Sequence, residues 1–254
     1  MLRCAAIAHI SAIEPGDKRM QAEELLRRYA IGETDFLNAD LAGATLSMET
    51  LSGTILTGTD LHEAVMMGVD LSRSELIGVN LQKANLWNAN LSVTNLEGAD
   101  LSEANLCGSN LWDANLVTAK LVQAKLTGAN LWNTDMSEAD LSSAHLDNAN
   151  MTGAILTDAT LHKAFLRMAE LVGANLAGAD LTDANLMETN LSGADMTEAD
   201  LSGAQMIGSN LNQACLRGAN LSRAFLRGVD LDNADLTDAI FDGTTMPDGS
   251  VRND

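Results

Sequence analysis

The 254 residues include 35 acidic and 15 basic side chains, which gives a formal net charge of −20 at pH 7. Such an excess of negative charge argues against direct binding to nucleic acid, whose phosphates would be repelled. No apolar run approaches the ~20 residues of a membrane-spanning helix, so no membrane association is expected. The cysteines Cys4, Cys107 and Cys215 are odd in number and far apart, which predicts no disulfide framework and a cytoplasmic location.

Residues 1–33 precede the regular part of the chain and contain one predicted helix, near residues 18–30. Asp17 is the candidate N-cap and Gly32 the candidate terminator. The candidate apolar stripe consists of Met20, Leu25, Leu26 and Tyr29. We interpret this helix as a cap over an open solenoid end, with a partner-binding helix as the alternative. Because Met20 lies at the start of this helix, residues 1–19 could also be disordered or reflect a misassigned start.

From Phe36 to Met246 every fifth residue is a large apolar one, in an unbroken register of positions that we call centres. A small residue, mostly alanine, stands two positions before each centre except Leu51, which has Glu49 there, and Asp or Asn commonly stands one position before the centre. A period of five fits neither a helix nor a flat strand. The chain must therefore turn a corner in each unit and stack on itself, with the centre and the small residue inward. Asn and Asp suit the corner because they tolerate turn dihedrals and bond to nearby backbone groups.

The repeated A(D/N)LXX pattern, as in Ala99-Asp100-Leu101-Ser102-Glu103, resembles the pentapeptide repeat family over residues 34–248. The resemblance implies an all-β fold, a right-handed quadrilateral β-helix with four pentapeptides per coil, here preceded by a short N-terminal α-helical cap. It implies about eleven coils, which at about 4.8 Å each make a rod on the order of 50 Å long. The lead-in Leu25–Gly32 and the ending Met246–Ser250 also resemble those of some cyanobacterial members.

Residues 249–254 form a short C-terminal tail with no evident helix. Pro247 and Gly249 are expected to cover only part of the final coil. Because an uncovered edge invites pairing with an identical edge, a homodimer through the C-terminal end is a further hypothesis.

Four units per coil divide the outward residues among four faces, which we number by their first centre. The first face runs from Phe36 to Leu236 and carries a charge of −9, and the second, from Leu41 to Phe241, carries −6. The third, from Leu46 to Met246, is neutral, and the fourth, from Leu51 to Leu231, carries −4. The acidity is therefore concentrated on three faces.

Outward aromatic residues lie mainly on the neutral third face. The candidate protein-binding residues there and on the adjoining fourth face are Trp87, Trp112, Trp132, Phe165, Arg167, Phe225 and Arg227. Exposed aromatic and arginine side chains are typical of interface cores. The alternative is that scattered apolar residues on a surface are ordinary.

No enzyme, cofactor or metal site is predicted, because the sequence has no zinc-type Cys/His pair, phosphate loop or nucleophile elbow. The favoured function is a protein-binding scaffold or regulator with an unidentified partner. The alternative comes from the family resemblance, since some members are acidic rods that occupy the DNA-binding saddle of type II topoisomerases. The candidate residues for such DNA mimicry and gyrase inhibition are Asp135, Glu138, Asp195 and Glu198.

Overall fold

The computed structural model describes residues 20–253, which form a solenoid with a short helix at its N-terminal end. The regular elements are α1 (Ala22–Ala30), β1 (Thr244–Thr245) and β2 (Val251–Arg252). Between α1 and β1 the chain forms one-residue β-bridges rather than longer strands. The coils are thus built from very short extended stretches joined by tight turns.

Residues twenty positions apart stack in parallel. Asp40 bridges Asp60, and the same pairing continues to Phe225 with Thr245. From Phe36 to Leu226, the N–H of each centre donates to a carbonyl in the next coil, as Leu41 does to Asp60 at 2.8 Å. Four pentapeptides therefore complete each coil, as predicted, and residues twenty apart form columns along the rod.

Each corner is a β-turn that starts at a centre. The N–H of Ala64 donates to the carbonyl of Leu61 at 3.0 Å, and the third residue of that turn, Glu63, has a φ of 56°. A positive φ at this position alone is the mark of a type II turn. The equivalent residue is left-handed in every unit from residue 38 to residue 243, even the β-branched Val93 at 58°.

The Asp or Asn before each centre does not adopt the turn dihedrals that the sequence predicted. Its backbone forms the bridge between coils. The residue with the left-handed φ lies three positions further along the chain. Its side-chain oxygen accepts the N–H two residues later, as Asp70 Oδ1 does from Ser72 at 3.0 Å. The predicted bonding to nearby backbone is confirmed, and the predicted conformation is wrong.

Centres and small residues fill the interior. Leu141 is 0% exposed, as are its column neighbours Leu121 and Leu161. Where threonine replaces alanine, the hydroxyl finds a carbonyl, and Thr54 Oγ1 donates to the Leu51 oxygen at 2.8 Å. Throughout residues 20–253, every buried side-chain nitrogen or oxygen has a hydrogen-bond partner. The core is therefore apolar and fully satisfied.

Helix α1 covers the N-terminal end of the first coil. Leu25 is fully buried, and Leu26 and Tyr29 pack against the core. The Tyr29 hydroxyl donates to the Ser52 carbonyl at 3.1 Å. These contacts agree with the predicted capping role.

The ends of α1 differ in how well the sequence predicted them. Gly32, with a φ of 94°, donates to the Tyr29 carbonyl at 2.9 Å, and Glu33 donates to the Arg28 carbonyl at 3.1 Å. These bonds form a Schellman motif, which confirms the predicted terminator. At the other end Gln21 is the N-cap and makes no side-chain cap. The helix begins later than expected, and Asp17, with all of residues 1–19, lies outside the described residues.

The C-terminal tail covers part of the last coil. Strand β2 pairs antiparallel with β1, which belongs to the third face, and the Arg252 guanidinium lies 4.0 Å from the centroid of the Phe241 ring. On the fourth and first faces, the N–H groups of Leu231 and Leu236 have no partner among the described residues. Two sides of this end are therefore open.

Candidate protein-binding surface

Trp112 and Trp132 lie in one column at the corner where the fourth face turns into the first. Their ring centroids are 6.1 Å apart and their planes differ by 15°. The residues remain 38% and 45% exposed. The column continues with Ser92 on one side and Thr152 on the other, so the aromatic stack is bounded by small side chains. Sequence analysis predicted two outward tryptophans one coil apart, and the structure places them in contact.

A carboxylate lies in the adjoining column of the same corner. Asp113 follows Trp112, and Asn133 donates through Nδ2 to Asp113 Oδ1 at 2.6 Å. Two glycines, Gly153 and Gly173, continue this column, and the space where a side chain would start at Gly173 is empty. We call the tryptophan pair, Asp113, Asn133 and these glycines the tryptophan corner. Sequence analysis missed Asp113, although its position directly after Trp112 was an available signal.

Trp87 lies apart from this pair, at the corner between the third and fourth faces, and is exposed. A stack of asparagines on the fourth face separates the two corners. In this stack Asn130 Nδ2 donates to Asn110 Oδ1 at 2.9 Å, and Asn110 Nδ2 donates to Asn90 Oδ1 at 3.3 Å. Because these amides bond to one another, they hold the solenoid together rather than face a partner. The three tryptophans do not form one surface.

Phe165 lies on the third face and stacks on His145, with ring centroids 4.7 Å apart and planes 8° apart. Arg167, in the same unit, has its guanidinium 3.4 Å from the Glu188 carboxylate, and both side chains are exposed. Phe225 lies three coils further along the same column, or about 14 Å at the usual strand spacing. Phe165 and Phe225 are therefore separate features.

Phe225 forms part of an open groove of about 670 Å³ at the corner between the second and third faces. The other lining residues are Thr182, Asp183, Ser202, Gly203, Gln205, Arg223 and Gly243. Arg227 belongs to the same unit as Phe225 but does not line the groove. The candidate aromatic surface is thus divided among several corners and faces, which the sorting of residues by face did not reveal.

The acidic candidates occupy two equivalent units of the first face, three coils apart. Asp135 Oδ1 accepts from the Ser137 hydroxyl at 2.6 Å, and Asp195 Oδ1 accepts from the Thr197 hydroxyl at 2.6 Å. Glu138 and Glu198 stand at left-handed corner positions, with φ of 57° and 59°. These four carboxylates form two matching pairs on the first face.

The same face ends in a carboxylate whose titration is shifted. The hydroxyl of Thr237 donates to Asp235 Oδ1 at 2.6 Å, and its backbone N–H donates to the same oxygen. These two hydrogen bonds lower the pKa of Asp235. Asp235 therefore keeps its negative charge to a lower pH than an ordinary aspartate.

Residues 20–253 have no evident metal site. In this range no group of three or more His, Cys, Asp or Glu side chains could hold a metal ion. No helix there is both long enough and apolar enough to cross a membrane. Cys107 and Cys215 are free thiols.

Comparison with known proteins places this geometry in a family. A family model described as pentapeptide repeats matches the chain in eight overlapping copies: residues 33–73, 74–113, 114–153, 134–171, 154–193, 174–213, 184–223 and 214–248. The match therefore covers residues 33–248 without a gap. A search of curated proteins found no significant match.

Two solved structures match large parts of the chain. HetL, a pentapeptide repeat protein involved in heterocyst differentiation regulation from the cyanobacterium Nostoc sp. strain PCC 7120, has 36% identity and a TM-score of 0.72. That match covers 92% of this chain and 100% of HetL. QnrB1, a plasmid-mediated fluoroquinolone resistance protein, matches in a trypsin-treated variant with 22% identity and a TM-score of 0.49, over 67% of this chain and 86% of its own. The fold is the right-handed quadrilateral β-helix that the sequence predicted, and the chain belongs to the pentapeptide repeat family.

Proposed function

We propose that this protein is a non-enzymatic scaffold or regulator that binds a protein partner through its outer surface. The observation that carries the proposal is the exposed, stacked pair of Trp112 and Trp132 in a chain with only 3% aromatic residues. Tryptophans of this kind commonly dominate protein interfaces. The similarity to HetL, which spans almost the whole chain, supports a regulatory role.

The shape of the solenoid supports a non-enzymatic role. Catalysis needs a concave site in which several groups converge. Here the interior is filled by leucine and alanine, and the groove beside Phe225 is an open surface feature. The free thiols of Cys107 and Cys215 fit a reducing compartment, so we assign the protein to the cytoplasm.

Capture of partners from the source cells tests the proposal. In the double variant Trp112→Ala/Trp132→Ala, we expect the amount of captured partner to fall at least about tenfold, since aromatic anchors contribute ~2 kcal/mol or more each. Trp87→Ala is the matched control, because it removes an exposed tryptophan from another corner. Equal capture by the double variant and the wild type would contradict the proposed surface.

The first face supports a second candidate function, mimicry of DNA towards a type II topoisomerase. Its charge of −9 would attract a basic DNA-binding groove. Neutralising Asp135, Glu138, Asp195 and Glu198 to their amides should then abolish inhibition of gyrase supercoiling. An absence of inhibition by the unmodified protein would exclude this function.

The open sides of the last coil support self-association through the C-terminal end. The unpaired N–H groups of Leu231 and Leu236 provide an edge that an identical edge can pair with around a two-fold axis. Sedimentation should show a dimer at high micromolar concentration. We expect Ile240→Lys, in the last coil next to this edge, to weaken the dimer, whereas Ile155→Lys, at the same repeat position in the middle of the rod, should not. A monomer at that concentration would contradict the hypothesis.

A further inference from the structure

The tryptophan corner combines aromatic surface and negative charge. The rings of Trp112 and Trp132 stack on one another with their centroids 6.1 Å apart. The next residues in the same column are Ser92 and Thr152, which are too small to cover an indole. The Ser92 hydroxyl is moreover turned away to Asn90 Oδ1, at 2.8 Å. Aromatic surface therefore remains available at both ends of the stack.

The carboxylate of Asp113 is held beside this surface and is not neutralised. Its hydrogen bond from Asn133 Nδ2, at 2.6 Å, links the same two coils that carry the tryptophans. Asp113 takes part in none of the salt bridges among the described residues. From Ser92 to Gly193, the two columns of this corner contain no basic side chain. A cation brought by a partner would meet no competing charge here.

We propose that the tryptophan corner receives an arginine side chain from a basic segment of the protein partner, an inference that rests on the proposed binding function. A guanidinium group is planar, so it stacks on an indole face and at the same time donates to a neighbouring carboxylate. Lysine carries a compact, strongly hydrated charge and fits this combination less well. An acidic segment is repelled by the charges of −9 and −4 on the two adjoining faces.

The surface next to the pair allows the main chain of such a segment to approach. In the column of Asp113, the positions after Asn133 are Gly153, Gly173 and Gly193. A side-chain atom added at Gly173 or Gly193 would meet nothing within 4 Å. An extended segment can therefore run along the corner while its arginine reaches the indole of Trp132.

Binding of short peptides to the full-length protein tests this inference directly. The probes are dye-labelled, C-terminally amidated hexapeptides in which glycine alternates with arginine, with lysine or with the neutral isostere citrulline, and the readout is fluorescence anisotropy. We expect saturable binding of the arginine peptide, binding of the lysine peptide weaker by about threefold or more, and none of the citrulline peptide. The double variant Trp112→Ala/Trp132→Ala should bind the arginine peptide about tenfold more weakly.

Variants of two aspartates distinguish local recognition from general attraction to an acidic rod. Asp113→Asn should weaken binding of the arginine peptide about threefold. Asp183→Asn removes the same charge from the equivalent position of another corner and should have no effect. Equal losses in these two variants, or equal affinity for arginine and lysine, would overturn the inference. The aspartate pair remains decisive if the tryptophan variant fails to fold, because both aspartates are exposed.

The two proposals fail in different ways. If partner capture depends on the tryptophans and the peptides show no preference for arginine, the scaffold function stands and the arginine inference is overturned. If the arginine peptide binds as expected and capture does not depend on the tryptophans, the corner recognises arginine but the proposed route to the partner is wrong.

Discussion

Replacing Leu141 with alanine should lower the free energy of unfolding by about 3–5 kcal/mol, in the upper part of the usual range for such changes. Leu141 is 0% exposed and lies between the equally buried Leu121 and Leu161. Its N–H donates to the carbonyl of Thr160 at 2.7 Å, and similar backbone hydrogen bonds fix the coils on both sides. The cavity can therefore collapse very little. Leu141→Asp should cost still more, because it places an unpaired charge in an apolar core.

Urea denaturation followed by far-UV circular dichroism measures this loss. Leu231→Ala is the matched control, since Leu231 has the same repeat position but is only partly buried and has no coil beyond it. There we expect a loss of about 1–2 kcal/mol, because neighbouring groups can relax into the space. A loss below about 1 kcal/mol for Leu141→Ala, or equal losses at the two sites, would refute the nearest-neighbour picture of the core.

Three further perturbations probe the corners, the cap and the asparagine stack. Val93→Asn should raise the unfolding free energy by about 0.5–1 kcal/mol, because asparagine tolerates a left-handed φ. Gly78→Val at an equivalent corner should lower the unfolding free energy by about 1–2 kcal/mol. Thermal melts measure both changes. The hydrogen bond from Arg28 lowers the pKa of Glu33 below its ordinary 4.5, so this pair stabilises the cap above that pH and the effect disappears as the pH falls through the lowered pKa. Melts of the wild type and Glu33→Gln should therefore differ at pH 7 and converge as the pH falls below the lowered pKa of Glu33. Asn110→Ala removes the acceptor of two hydrogen bonds and should cost about 1 kcal/mol in urea denaturation.

The fold was predictable because its signal is repeated in every unit. A register that places Leu41, Leu61 and Leu81 at equal intervals has no other compact solution than inward stacking, and the bridges from residue 35 to residue 245 follow it. The termination of α1 was predictable for a similar reason, since Gly32 is the residue type that a Schellman motif needs.

Features that depend on single contacts were not predictable. Strand β2 is two residues long, and its Arg252 lies over the ring of Phe241, which no periodic pattern indicates. The candidate surface was sorted by face, but the residue after a centre lies at a corner. Trp112 and Trp132 therefore border the most acidic face, an arrangement that depends on where the turn falls within the unit.

The twenty-residue coil also constrains how such a gene can change length. Loss of sixty base pairs removes one whole coil and leaves every downstream column in line with the columns before it. Loss of fifteen base pairs removes one pentapeptide, keeps leucine and alanine inward, and rotates everything downstream by a quarter turn. The first-face carboxylates beyond the deletion would then continue the line of the fourth face. Evolution can therefore redistribute surface charge around the rod by slippage between repeats, without substituting one amino acid or disturbing the core.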